Sequence, residues 1–161
     1  ECRAVAAVCC GEVLRDVPFE TFLAKLPECR RQCGDRAVLR AFHIYADNDR
    51  VAKQVAALRE GDFSTFLRLV SESGHSSWEY LQNVIPAGYK EHQEMGVTIA
   101  AAKHYLNGKG AVRVHGGGFA GTAQAFVPVE MLADFKKNME AILGEGRCHV
   151  LSIRPEGGAV L

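Results

Sequence analysis

The residues 111–128, AVRVHGGGFAGTAQAFVP, hold the densest set of chemically suggestive residue types in the chain. Two short runs with strand character, Ala111–His115 and Thr122–Val127, flank Gly116, Gly117, Gly118, Phe119, Ala120 and Gly121. Ordinary hairpins turn in about two to five residues and need one or two glycines. Here four of the six connecting residues are glycine. Consecutive glycines are costly to order, so their presence between strands points to positive φ, to close approach of another group, or to a plain flexible turn. Bare N–H groups in such a loop can form an anion-binding concavity. The loop is not a GxxxxGK[ST] phosphate loop, and no helix follows it directly. His115 is the only titratable side chain beside it, either a strand-end histidine with a satisfied hydrogen bond or a contact for sugar or phosphate.

Other reactive residue types are less organised. The adjacent His75, Ser76 and Ser77 invite a hydrolase reading but have no nucleophile-elbow context and no evident orienting acid. The six cysteines include no C-x2-C pair, and Cys29-x3-Cys33 is a poor zinc pattern. A chain of this length needs no disulfide staples, so reduced thiols are expected. The polar patch Asp47-Asn48-Asp49-Arg50 interrupts an apolar stripe and reads as a solvated face or as a surface that meets another domain.

The elements that must position these residues follow from periodicity and punctuation. Residues 1–10 read as a helix end stopped at Gly11. Pro18 opens a short helix with Phe19, Phe22, Leu23 and Leu26 on its apolar side; Pro27 is expected to end it, and 28–32 to add another turn. Asp35 is the expected N-cap of a long helix to about Arg59, with apolar stripes Val38/Phe42/Tyr45 and Ala52/Val55/Leu58. Gly61-Asp62 closes it and caps a helix carrying Phe63, Phe66, Leu67 and Val70, expected to end near Gly74. A separate short helix is expected from His75, with Trp78 and Leu81 inward. After the Pro86–Gly88 loop, helix resumes near Tyr89 and runs to Asn107, with Met95, Ile99, Ala102 and Leu106 aligned and Gly108 as the stop. Following the two strands, Pro128 begins a helix to Leu143 with Leu132, Phe135, Met139 and Ile142 inward. Cys148–Ile153 is an expected third strand and Ala159–Leu161 a fourth. This is an α+β chain, a mainly antiparallel sheet with helices over one face.

At 161 residues and 48% apolar content, one domain with a real core is expected, mainly helical over 1–87 and helix-strand-strand-helix-strand-strand over 88–161. Lys+Arg and Asp+Glu both total 19, which argues against a nucleic-acid binder. No apolar run is long enough to span a bilayer, and no secretory signal opens the chain, so a cytoplasmic location and no membrane partner are expected.

The run Arg113–Gly121 resembles the third signature of the galactokinases, in the GHMP small-molecule kinase superfamily. Gly34–Ala37, His43–Val51, Glu72–Ser77 and Ile153–Pro155 also resemble galactokinase C-terminal segments, in the same order. Two departures stand out: the loop is GGGFAG preceded by His115 where relatives often read GxGFGG after a small residue, and 77–83 differ from the familiar form. The family's sugar signature, its PxGxGLSSS-type phosphate loop and its catalytic Asp are absent from these residues, and the chain opens without Met in mid-pattern. The resemblance therefore implies the C-terminal domain of a longer kinase, ferredoxin-like, partnered by an N-terminal domain that binds ATP and sugar. It implies transfer of the ATP γ-phosphate to the anomeric hydroxyl of galactose or a related sugar with Mg2+, and no activity, catalytic residue or metal ligand in this segment alone. Gly116, Gly117, Gly118, Phe119 and Gly121, with His115 as a further candidate, would contact substrate and the phosphate loop. Two alternatives remain: a domain of a non-catalytic GHMP sugar sensor, and a free-standing ferredoxin-like module for a small ligand.

Overall fold

The computed structural model describes residues 1–119, 121–153 and 155–156. Among the described residues, seven α-helices and a two-stranded antiparallel sheet make an α+β fold. The helices are α1 (Cys2–Val8), α2 (Phe19–Ala24), α3 (Leu26–Cys33), α4 (Asp35–Arg59), α5 (Phe63–Ser76), α6 (Glu94–Leu106) and α7 (Leu132–Leu143). The strands are β1 (Ala111–His115) and β2 (Thr122–Phe126), in register Ala111↔Phe126, Arg113↔Gln124 and His115↔Thr122.

The apolar side chains gather in two clusters. In the first, Val5, Ala6 and Cys9 of α1, Phe22 of α2 and Cys29 of α3 close on Val38 and Ala41 of α4. Phe22 stacks on Tyr45 and meets Phe42 edge-on, and the Tyr45 hydroxyl donates to the Val17 carbonyl, so the ring's polar end is satisfied where it enters the core. The second cluster joins Met95, Ile99, Ala102 and Leu106 of α6 to Val112 and Val114 of β1 and to Phe135 and Met139 of α7.

The sheet carries helices on both faces rather than one. Alternate strand residues point to opposite sides. Val112 and Val114 face α6 and α7, while Arg113 and Phe126 face α5. Gly74 makes that second contact possible, since a Cβ there would lie 3.0 Å from the Arg113 Cβ and 3.2 Å from the Val112 carbonyl oxygen.

Several expectations change. Pro27 sits in the first turn of α3, where its missing N–H costs nothing, instead of ending a helix. Gly34 takes the N-cap position of α4, and Asp35 instead pairs with Arg30. Asp62 does cap α5, its carboxylate accepting from the Thr65 N–H at 3.0 Å. No new helix starts at His75: α5 runs on to Ser76 and widens into a π-helical turn, Ser77–Leu81, ended by Gln82 in the left-handed region. Trp78 lies largely at the surface, its ring edge 3.4 Å from where a Gly96 Cβ would stand. Helix α6 starts at Glu94, four or five residues later than the sequence suggests, and a 3-10 turn, Val129–Met131, precedes α7. Ile142 is exposed.

The expected strand at Cys148–Ile153 is not formed. Those residues are irregular, Val150, Leu151 and Ile153 are exposed, and among the described residues no strand edge pairs with them. Strand propensity is realised only where neighbours supply packing and a ladder. The expected strand at Ala159–Leu161 lies outside the described residues. Among the described residues the sheet therefore has two strands, and the ferredoxin-like arrangement is not completed.

Candidate functional site

The glycine loop is folded onto one residue, Asn83. The Phe119 N–H donates to the Asn83 carbonyl oxygen at 2.6 Å, and the Asn83 side-chain amide donates to the Gly117 carbonyl oxygen at 3.4 Å. Gly118 lies between these two bonds at φ +79°, where a Cβ would sit 2.2 Å from the Asn83 carbonyl oxygen. Only glycine tolerates that approach, and the close-contact reading of the loop holds at this position. Gly117 is different: a Cβ there would meet nothing within 4 Å. The concavity expected from bare N–H groups is partly spent, since the Phe119 amide is bound to Asn83.

Phe119 is 48% exposed at φ +52°. The Arg40 guanidinium of α4 lies 6.0 Å from its ring centroid, at the outer range of a cation–π contact. Arg40 is held in place by donating to the Leu81 carbonyl oxygen at 3.1 Å and by pairing with Glu1. His115 is exposed at the end of β1, opposite Thr122, and Gly121 is exposed at the start of β2. The structure thus brings Gly116–Phe119, Asn83 and Arg40 together at one end of the hairpin.

Beneath the loop, β1 is tied to α4 and α5 by a buried polar network. Arg113 donates to the hydroxyls of Ser73 and Ser77 and to the Val114 carbonyl oxygen. Ser73 donates in turn to Asp47, which also accepts from Arg50 at 2.9 Å. His43, 3% exposed, lies 2.9 Å from the Ser76 hydroxyl through Nδ1 and 3.8 Å from Asp47 through Nε2. Burial lowers the His43 pKa; the Asp47 carboxylate opposes this, and the Arg50 and Arg113 charges add to it. Burial acts to raise Asp47, but hydrogen bonds from Ser73 and Arg50 and the charges of His43 and Arg113 bring it below its ordinary value. A neutral imidazole beside a charged carboxylate results.

A serine, a histidine and an aspartate therefore do meet, but through His43 and not through His75. Ser76 and His43 are both buried, so the hydroxyl has no path to a substrate, and the group is a structural link. His75 is exposed and its Nε2 lies 2.9 Å from the Lys103 ammonium. The patch at 47–50 is neither wholly solvated nor a free surface, for Asp47 and Arg50 turn into the network while Asp49 pairs outside with Lys53.

Asn83 and Arg40 were not anticipated from the sequence. The network had a legible signal: His43 and Asp47 are four apart on α4, and Ser73, Ser76 and Ser77 recur at helical spacing. Asn83 carries no such signal, because its role depends on a turn at Gln82 and a loop 34 residues away. All six cysteines are free; the Cys9 and Cys29 sulfurs lie 3.8 Å apart, and burial with that neighbour pushes Cys29 up to about 11.

The chain is 31% identical over 137 residues to a galactokinase of Mannheimia succiniciproducens, covering 85% of this chain and 34% of that protein. The chain is homologous to a segment of galactokinases. Galactokinases of Glaesserella parasuis serovar 5 and Actinobacillus pleuropneumoniae match over the same length at 30% and 29% identity. No family model matches the chain. The chain spans about a third of the length of the galactokinases it matches.

Proposed function

We propose that the chain is the C-terminal part of a galactokinase-type sugar kinase and forms one wall of its active-site cleft. The similarity to galactokinases over 85% of the chain carries this reading. In the reaction, the anomeric oxygen of galactose or a related sugar attacks the γ-phosphorus of ATP, ADP leaves, and the hydroxyl proton passes to a base. An N-terminal domain supplies that base, the phosphate loop and the Mg2+ ligands. Magnesium neutralises phosphate charge in such transfers. This chain's share of the chemistry runs through its glycine loop.

That share is positioning. Gly118 is used internally against Asn83, whereas Gly116, Gly117 and Phe119 remain open to a group outside this chain. A glycine at 117 lets an opposing backbone or a phosphate come close, and Phe119 gives an apolar surface for the facing domain. A cytoplasmic location fits a reaction that consumes ATP; among the described residues no helix is long and apolar enough to cross a membrane.

The test is ATP turnover by the longer protein that contains this chain, against a panel of hexoses. ADP release with a sugar 1-phosphate formed from galactose or a close epimer is expected. Sugar binding without turnover of any hexose would sink the kinase reading.

A further inference from the structure

Asn83 shows a conflict between burial and hydrogen bonding that the fold alone does not explain. The residue is 2% exposed, and its side-chain oxygen Oδ1 is buried with no hydrogen-bond partner among the described residues. A buried acceptor left unpaired destabilises the folded chain, and an apolar side chain of similar size would remove that penalty. The amide nevertheless sits under the glycine loop: its Nδ2 donates to the Gly117 carbonyl oxygen, and its Cγ lies 2.8 Å from where a Gly118 Cβ would stand. The backbone delivers it there deliberately. Gln82 turns the chain through the left-handed region at φ +55°, directly after the π-helical turn, and Asn83 follows beneath the loop. Polar groups that cost stability and cluster at one loop mark places where local rules are broken for function.

We infer that Asn83 is a positioning residue: its amide sets the height and orientation of Gly117–Phe119, so that the loop meets the reacting phosphate in one geometry. The inference deepens the proposed kinase function and rests on it. Asn83 touches the loop and not the reacting atoms. Its donor holds the Gly117 carbonyl, and its backbone carbonyl holds the Phe119 amide. The spare acceptor Oδ1 is available to a loop N–H that turns inward when the loop closes on substrate. The 3.4 Å length of the Nδ2 bond leaves room for that tightening.

The experiment uses the longer protein carrying this chain, as wild type and as Asn83→Leu and Asn83→Ala, with thermal unfolding and full kinetics for ATP and galactose. Asn83→Leu keeps the branching at Cγ with somewhat larger methyl groups and removes both polar functions. A melting temperature equal to or above that of wild type is expected, because the unpaired acceptor is gone. The loss is expected in kcat, about 10- to 100-fold as for a sub-ångström to one-ångström misplacement, with both KM values changed far less. Wild-type kcat in a folded variant would overturn the inference while leaving the kinase reading intact. Failure of both variants to fold would overturn it too, since Asn83 would then serve the fold. A wild type with no turnover sinks both readings together.

Discussion

Gly117 and Gly118 are neighbours of one residue type in different situations, and the difference can be measured. Alanine at Gly118 must accept φ +79° and a Cβ 2.2 Å from the Asn83 carbonyl oxygen, so the loop has to lift off Asn83. A cost of about 1–3 kcal/mol is expected for Gly118→Ala in chemical denaturation of the 161-residue chain. Gly117→Ala meets nothing within 4 Å and should leave that denaturation curve unchanged. Equal losses for the two would mean that the loop is not held by Asn83. His43 makes a second residue-scale expectation. Its pKa is lowered below the ordinary 6.5 by burial, so between the folded value and 6.5 the unfolded chain binds the extra proton. Stability is then complete above about pH 6.5 and falls as the pH drops below it. Asp47, also lowered from its ordinary 3.8, contributes stability present above 3.8 and lost as the pH falls further through its folded value. Melting temperatures between pH 7.5 and 5 should decline, and His43→Gln should flatten the decline; an unchanged slope would show that His43 is not the group responsible. The residue scale was the least legible in the sequence. The glycines announced a special loop, but which glycine was needed, and against what, depended on Asn83 arriving from a distant turn.

At the scale of elements the sequence is far more readable, and the misses share one cause. The α6 stripe Met95, Ile99, Ala102 and Leu106, the hairpin strands, and the Asp62 cap all follow from local pattern and appear as expected, although α6 itself starts late. The second stripe of α4 does not behave as a core stripe: Ala52, Val55 and Leu58 are exposed, and Phe63 at the start of α5 is exposed beside them. Cys148–Ile153 likewise has strand composition without a strand. Periodicity reports that an apolar face exists; it does not report what covers it. Leu58 in the one and Leu151 in the other are exposed, which gives a direct expectation. Leu58→Lys and Leu151→Lys should each change the stability of the 161-residue chain by no more than about 0.5 kcal/mol, the ordinary range for surface substitutions. A loss of several kcal/mol at either position, read from urea unfolding, would place that side chain in a core.

At the scale of the whole molecule, the chain's relation to galactokinases and its loop geometry make different demands on Phe119. Nothing about folding requires a half-exposed aromatic at φ +52°, a conformation that costs free energy for any residue with a Cβ. Among the described residues the ring meets the Arg40 guanidinium 6.0 Å away and belongs to neither apolar cluster. A side chain that stabilises its own domain so little should be dispensable to that domain. Phe119→Ala in the 161-residue chain is therefore expected to leave the melting temperature unchanged, since alanine keeps a Cβ at the same φ. If the loop forms the proposed cleft wall, the same substitution in the longer protein should lower kcat/KM about tenfold or more. Gly117→Ala should follow the same pattern, silent in the short chain and damaging in the long one. Under the proposed function, in which the phosphate loop and the base belong to another domain, the 161-residue chain alone should turn over no ATP. Measured side by side, these results separate two accounts of the loop. If Phe119→Ala destabilises the short chain and spares turnover in the long one, the loop is a turn that happens to be rich in glycine. If the damage appears only when the rest of the protein is present, the loop is a surface shaped for a partner domain.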